Sequence, residues 1–444
     1  MAAAKKTPTP SKKPPRATVR TYRHGLGDCH LVTLYGARKA KYQIMIDCGV
    51  ILGTANAGAV MTEVMDDILA ATGGSIDLLV ATHEHWDHVS GFAQAAESFA
   101  KLKVGAVWLG WTEDPKDADA KQLRGERDNA LALLRAAAVR MQLDGGGDGE
   151  PNLLTSLLDF FGAAARTTTA SALELVRAKV ARPRYCDPKD LPVELDGFRG
   201  RIYTLGPPRD MKMLKKTLPS AKAPETYGMA LAAAERSIGQ ALANPEEQPF
   251  SNAFRIPNRV AQSTPFFQQR YWNDEAWRRI DVAWMDDASE LALALDSMTN
   301  NTSLVLAIDL DDVGVLLFAA DAQVGNWLTW SDCKWRVSGK PVTGPDLLAR
   351  TVYYKVGHHG SHNATLKAGG LERMTALDVA VIPVDHAMAL KKKWGDIPLD
   401  TLVTALGKAT TERGYVVRTD EELSATAKRR GARMTRLYVE VDVF

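Results

Sequence analysis

"VATHEHWDHVSG", Val80 to Gly91, places three histidines and one aspartate within the six residues His83 to His88, in a chain of 444 residues with only 9 histidines. The stretch before it, "IDLLV", is a short apolar run that reads as a buried strand. A rigid strand end followed by a tight loop presents imidazole and carboxylate groups without strain, which is what a metal site requires. In the spacing H-x-H-x-D-H, His83 and His85 point the same way into one site. Asp87 and His88, at the start of a helix expected near Ser90, point to a second. A histidine-rich surface turn is the competing reading, and the density of ligands directly after a buried strand weighs against it.

Working outward, "ATVRTYRHGLGDCHLVTLYG" and "KYQIMIDCGV" read as adjacent strands split by glycine turns. "TANAGAVMTEVMDDILAATGG" carries Val60, Val64, Ile68 and Leu69 at helical spacing before a Gly-Gly stop. Strand, strand, helix, strand and then a reactive loop indicate an α/β protein with its chemistry at a strand's C-terminal end. Residues 112–190 are rich in Ala, Leu, Arg and Glu with helical periodicity, and "GGGDGEP", Gly145 to Pro151, divides them. Residues 191–208 return to strand character, 209–297 form a second helical stretch, and 298–444 alternate strands with helices. The expected architecture is therefore one α/β layer structure over 17–111, 191–208 and 298–444, interrupted by two mainly helical insertions. No repeat period is evident.

Composition bounds the function. The formal charge of +2, from 55 basic and 53 acidic residues, gives no whole-molecule argument for a polyanionic partner. The opening "MAAAKKTPTPSKKPPR", residues 1–16, is expected to be a disordered basic tail, a solubilising arm or a weak contact to nucleic acid. No long apolar run suggests a membrane partner, and the expected location is the cytoplasm. The four cysteines, Cys29, Cys48, Cys186 and Cys333, form no CxxC pair and read as buried thiols of a reducing compartment.

The T-H-x-H-x-D-H-x-x-G pattern resembles the hallmark of the metallo-β-lactamase fold superfamily. "IMIDCG" is similar to its early strand, in which Asp47 braces the metal loop; "LLFAADAQ" resembles the strand carrying the bridging carboxylate, Asp321; "YKVGHHGS" resembles the strand bearing the last histidine. Within the superfamily, "HGLGDCHLV", "GFRGRIYTLGPP", "NNTSLVLAIDL", "VGHHGS" and the "GDIPLDTLVTAL…GYVVRTD" tail follow the order of the hydrolase domain of the competence protein ComEC. The resemblance covers about Ala17 to Trp111, the strand near Tyr203, and Thr299 to Phe444. It implies an αβ/βα sandwich and two divalent metal ions, Zn2+ or alternatively Mn2+. The implied ligands are His83, His85 and Asn301 for the first ion, and Asp87, His88, Asp321 and His358 for the second. Asp87, His359 and Asp47 form the implied catalytic set, with His359 facing substrate or supporting the ligands. Two departures stand out: Asn301 replaces the histidine that many members carry, and Ala320 replaces a glycine.

The function expected from this reading is a metal-dependent hydrolase, a phosphodiesterase or nuclease that activates water between two ions. "RYWNDEAWRR", "KWRVSGK" around Trp335 and the lysines of "ALKKKWGD", Lys391 to Lys393, supply the aromatic and basic mixture that contacts nucleic acid, although such mixtures also build ordinary helix faces. "NWLTW", Asn326 to Trp330, reads as packing. His362 reads as solvated, and His24 as either pocket-facing or structural. The alternatives are a hydrolase of small esters or lactones, and a catalytically impaired metal-binding module whose helical insertions recruit a protein partner.

Overall fold

The computed structural model describes residues 14–36, 41–143, 168–216, 258–272, 283–311, 313–392, 394–412 and 414–444, with the isolated positions 158 and 256. The expected tail before residue 14, the "GGGDGEP" break, nearly all of "LLTSLLDFFGAAA", the end of "RYWNDEAWRR" and Lys393 lie outside the described residues.

The chain is mixed α/β. Its strands are β1 (Ala17–Tyr22), β2 (Cys29–Tyr35), β3 (Lys41–Cys48), β4 (Ser75–Val80), β5 (Lys103–Gly110), β6 (Arg184–Cys186), β7 (Val193–Glu194), β8 (Arg201–Gly206) and β9 (Val305–Leu310). They continue as β10 (Gly314–Phe318), β11 (Lys334–Val337), β12 (Lys340–Thr343), β13 (Thr351–Lys355), β14 (Val379–Ile382), β15 (Tyr415–Arg418), β16 (Arg433–Met434) and β17 (Tyr438–Val443). One sheet runs β16-β17-β1-β2-β3-β4-β5-β6 and the other β15-β14-β13-β10-β9-β8-β7, while β11 and β12 form a separate hairpin.

Strand periodicity sets the layers. In β4, Leu78 and Val80 enter an apolar layer shared with Ile308, Phe318 and Tyr353 of the other sheet. Leu79 points the opposite way, into a cluster with Met61, Val64 and Ile68. Successive side chains alternate faces, so a strand apolar on both faces must lie between two layers. The helix α1 (Ala57–Thr72) covers the first sheet with Met61, Val64, Met65 and Ile68, an i, i+3, i+4, i+7 stripe shifted from the expected one. It stops at Gly73, whose left-handed backbone donates to Leu69 O. On the outer face of the second sheet lie α3 (Ala118–Leu143) and α5 (Ala283–Asn301), through Leu134, Leu291 and Leu295. Between them in sequence comes α4 (Thr169–Arg177), whose Leu173 and Val176 join the α1 cluster.

The helix after the histidine cluster, α2 (Trp86–Gln94), starts four residues earlier than expected, so Asp87 and His88 occupy its first turn. Residues 184–186, expected within the first insertion, pair with β5 as β6, and α5 runs continuously across the expected boundary at 298. All four cysteines are buried and free, and Cys29 and Cys48 stand opposite each other across β2 and β3. No helix among the described residues is long and apolar enough to cross a membrane.

The parallel pairs β3–β4 and β4–β5 in one sheet, and β10–β13 and β13–β14 in the other, bring several strand C-termini to one end of the molecule. Gly49, just past β3, fixes how closely that end packs: a Cβ there would meet Asp87 C and His88 N at 2.4 Å. We therefore expect Gly49→Ala to cost about 3 kcal/mol or more through overpacking against α2, measured as a lower urea midpoint.

Candidate metal centre

Each candidate ligand sits just beyond a strand. His83, His85, Asp87 and His88 follow β4, Asp321 follows β10 and His359 follows β13. Asp47, the penultimate residue of β3, holds the loop in place. Its Oδ1 accepts from the Thr82 amide at 2.8 Å, and its Oδ2 accepts from Thr82 Oγ1 at 2.7 Å and from His88 Nδ1 at 2.8 Å. With Nδ1 so occupied, His88 presents Nε2 to the interior. His359 is fixed in the same manner, Nδ1 bonding Pro383 O at 2.8 Å and Nε2 lying 3.0 Å from Asp87 Oδ2.

Asp87, His88, Asp321 and His359 thus each offer a buried atom, all within 4.8 Å of one another. Asp87 Oδ1, His88 Nε2 and Asp321 Oδ2 have no hydrogen-bond partner, although His88 Nε2 and Asp321 Oδ2 are only 3.2 Å apart. Buried polar atoms left unmatched cost free energy, and a cation bonded at about 2.0–2.2 Å to such nitrogens and oxygens satisfies all of them. The four residues therefore could hold a metal ion.

His83 and His85 form an adjoining pair. His83 Nδ1 lies 3.1 Å from Thr82 Oγ1 and 3.3 Å from Ser303 Oγ, which turns its Nε2 to within 3.1 Å of His85 Nδ1. The two nitrogens are at hydrogen-bond distance, a separation also close to the roughly 3.3 Å between two nitrogens that share one tetrahedral ion. Burial, together with His88 and His85, holds His83 well below the usual imidazole range, and burial lowers His85 to about 3. Both are therefore neutral, the form that binds metal.

The expected ligand set changes at two places where adjacent identical residues left a choice. His359 rather than His358 enters the cluster, because both residues adopt left-handed backbone (φ 43° and 51°) and the turn sends their rings apart. His358 Nδ1 instead meets Ser361 Oγ at 2.8 Å and Asn363 Oδ1 at 3.2 Å, and its Nε2 lies 3.5 Å from Asn300 Nδ2. Asn301 is a structural residue. Its amide donates to Leu214 O and Lys216 O, and its Oδ1 accepts from the Gln323 and Asn326 amides, leaving nothing for a metal. Its neighbour Asn300 is the asparagine that faces the site, with a buried Oδ1 that has no partner.

Other residues took part without being foreseen. Asp296 is buried, with Oδ1 3.8 Å from His85 Nε2 and Oδ2 accepting from Asn300 Nδ2 at 3.2 Å. Burial, Asp87 and Asp321 push its carboxyl well above the usual range. The signal was two polar residues one turn apart on the otherwise apolar face of α5. Lys355, 1% exposed, forms an ion pair with Asp28 behind the cluster. Glu84, between the two histidines, points away from them to Arg127 Nη1 of α3 at 2.7 Å and Thr169 Oγ1 of α4 at 2.8 Å.

Comparison with known proteins adds nothing here: no family model and no curated protein matches this chain. The remaining candidates fall outside the cluster. Trp335 is buried against Tyr203, its indole donating to Asp190 O, and is closed to base stacking. Trp327 and Trp330 stack on each other in the core. His24 is buried with Nε2 2.6 Å from Gly49 O, a structural contact, while His362 is exposed. A Cβ on Gly53, in the loop after β3, would lie 3.1 Å from the Lys392 ammonium.

Two outcomes follow. Asn301→Ala strands two amides and two carbonyls and should cost about 2–4 kcal/mol in urea denaturation while leaving ion stoichiometry unchanged. Burial opposes a proton on His88, but Asp321, Asp87 and Asp47 raise it well above its ordinary range; His359 is raised likewise, by Asp321 and Asp87 against burial. Protons therefore compete with the ion on both. Metal affinity should therefore begin to fall already above pH about 6.5, the ordinary imidazole value, and keep falling as the pH drops, with proton release on loading measurable by calorimetry in buffers of different ionisation enthalpy.

Proposed function

We propose that this chain is a metal-dependent phosphodiesterase of the metallo-β-lactamase fold, acting on a polynucleotide. The observation that carries the reading is the convergence of His83 and His85 with Asp87, His88, Asp321 and His359 at the shared C-terminal ends of two sheets. Layers in the order helix, sheet, sheet, helix, with the H-x-H-x-D-H loop after β4, support the family assignment.

Charge supports bound cations. Among the described residues around the cluster, Asp28, Asp47, Asp87 and Asp321 are four buried carboxyl groups facing one buried ammonium, Lys355, while Asp296 is held toward its neutral form. The excess of buried carboxylate over ammonium favours cations among them. His83 and His85, with Asn300 and Asp296 beside them, would hold one ion; Asp87, His88, Asp321 and His359 would hold the other. A bound pair would supply an acidified water and electrophilic stabilisation of charge on phosphate oxygens. The chain's own part is to fix ring tautomers through Asp47 and Pro383, to keep His83 and His85 neutral, and to hold Asp321 in place. The order of motifs shared with the competence-protein hydrolase domain makes nucleic acid the first substrate to examine.

Purified protein loaded with Zn2+ or Mn2+ should cleave bis-p-nitrophenyl phosphate and labelled single- or double-stranded DNA. His359→Ala and Asp87→Ala should each lower kcat at least 100-fold, whereas His358→Ala should retain most of it. Turnover of lactones without phosphodiesters would transfer the reading to carbonyl esters. Two bound ions with neither activity would leave a binding module.

A further inference from the structure

Behind the proposed ion pair lies a second group, Asp28, Asp47 and His88, whose ligand atoms also converge within reach of a cation. It already contains one. The Lys355 ammonium, at the end of β13, is ion-paired with Asp28, donates to Ala320 O at 3.0 Å and lies 3.4 Å from Asp321 Oδ1. We propose that Lys355, anchored by Asp28, is the positioning residue for Asp321, pinning one carboxylate oxygen so that the other is presented to the metal pair. The inference rests on the reading that the cluster of Asp87, His88, Asp321 and His359 holds cations.

Three observations carry it. Asp321 is held on one side only: Oδ1 faces Lys355 Nζ and accepts from the His358 amide at 3.1 Å, while Oδ2 has no hydrogen bond and lies 3.2 Å from His88 Nε2. An unrestrained carboxylate could chelate a single ion through both oxygens; this one is left with a single free oxygen. Next, Ala320 adopts left-handed backbone at φ 48°, a conformation unfavourable for a residue with a Cβ. Its carbonyl accepts from both Lys355 Nζ and the His358 amide, so the turn that aims Asp321 is held by the same ammonium. Finally, Asp28 is itself fixed to the other half of the site, its amide donating to Asp87 O at 2.9 Å and its carbonyl accepting from Gly49 N at 3.0 Å. The ion pair therefore ties the ligands of one sheet to those of the other, across 327 residues of sequence. An ammonium taken out of water at such a place is costly unless fully paired, and an apolar residue would fill the volume without that cost.

The test compares wild type with Asp28→Asn and with the double variant Lys355→Met/Asp28→Asn, in which both charges are removed together. Metal-free proteins are titrated with Mn2+, and the readouts are ions bound per chain, the affinity of each, the spin coupling of the pair by electron paramagnetic resonance, and the urea midpoint. We expect the double variant to fold with a urea midpoint near wild type, yet to bind its second ion about 10- to 100-fold more weakly and to lose the coupled signal. Asp28→Asn, which preserves shape, should shift the second ion in the same direction. Wild-type affinity for both ions and an unchanged coupled spectrum in either variant would overturn the proposal, leaving the pair a structural tie alone. Because no substrate is used, a wild-type protein that binds a coupled pair but cleaves no phosphodiester refutes the proposed activity and not this inference. A wild-type protein that binds no ion overturns both.

Discussion

Negative charge concentrated in a dry place governs the architecture at this end of the molecule. Asp28, Asp47, Asp87 and Asp321 are at most 1% exposed, and they lie together where the two sheets meet. Carboxylates removed from water repel one another and must be offset by hydrogen bonds, a proton or a cation. The fold offers each in a different position. Thr82 and His88 satisfy Asp47, and Lys355 offsets Asp28. Among the atoms that remain unmatched, Asp87 Oδ1, Asp321 Oδ2 and His88 Nε2 are turned toward a common space. The chain thereby separates carboxylates that hold the scaffold from carboxylates that could hold an ion.

The helical segments expected to be insertions are wired into that scaffold. Glu84, the residue between the paired histidines, is buried and reaches Arg127 of α3 and Thr169 of α4. Burial pushes its carboxyl up while Arg127 opposes the rise. Glu113, next to β5, joins Arg177 of α4 at 2.8 Å, and Asp296 of α5 stands beside His85. Removing either partner of such a buried pair strands a charge, so these contacts specify where the helices sit more than they add stability. The residues of the histidine loop therefore alternate in role: those at 83 and 85 face the cluster, and the one between them grips α3 and α4.

Much of this was legible from the chain because it is local. A strand with apolar residues on both faces, followed at once by H-x-H-x-D-H, fixes which side chains emerge at the strand's end, and periodicity fixes which layer each strand residue enters. Asp47 and Asp321 were expected on another ground, the resemblance of "IMIDCG" and "LLFAADAQ" to strands of the metallo-β-lactamase superfamily. The stripe on α1 was found in part: Val64 and Ile68 belong to both faces, while Met61 and Met65 are buried in place of Val60 and Leu69.

What the sequence determined by itself is the α/β class and the strand-end position of His83, His85, Asp87 and His88, because spacing along one strand and one turn is a covalent property. Only the tertiary structure decided between His358 and His359 and between Asn300 and Asn301, since adjacent identical residues differ only in the direction their backbone gives them. It alone also joined Lys355 to Asp28 and Asp296 to His85. Those pairings exist only after distant segments have packed, when the cost of a buried charge selects its partner.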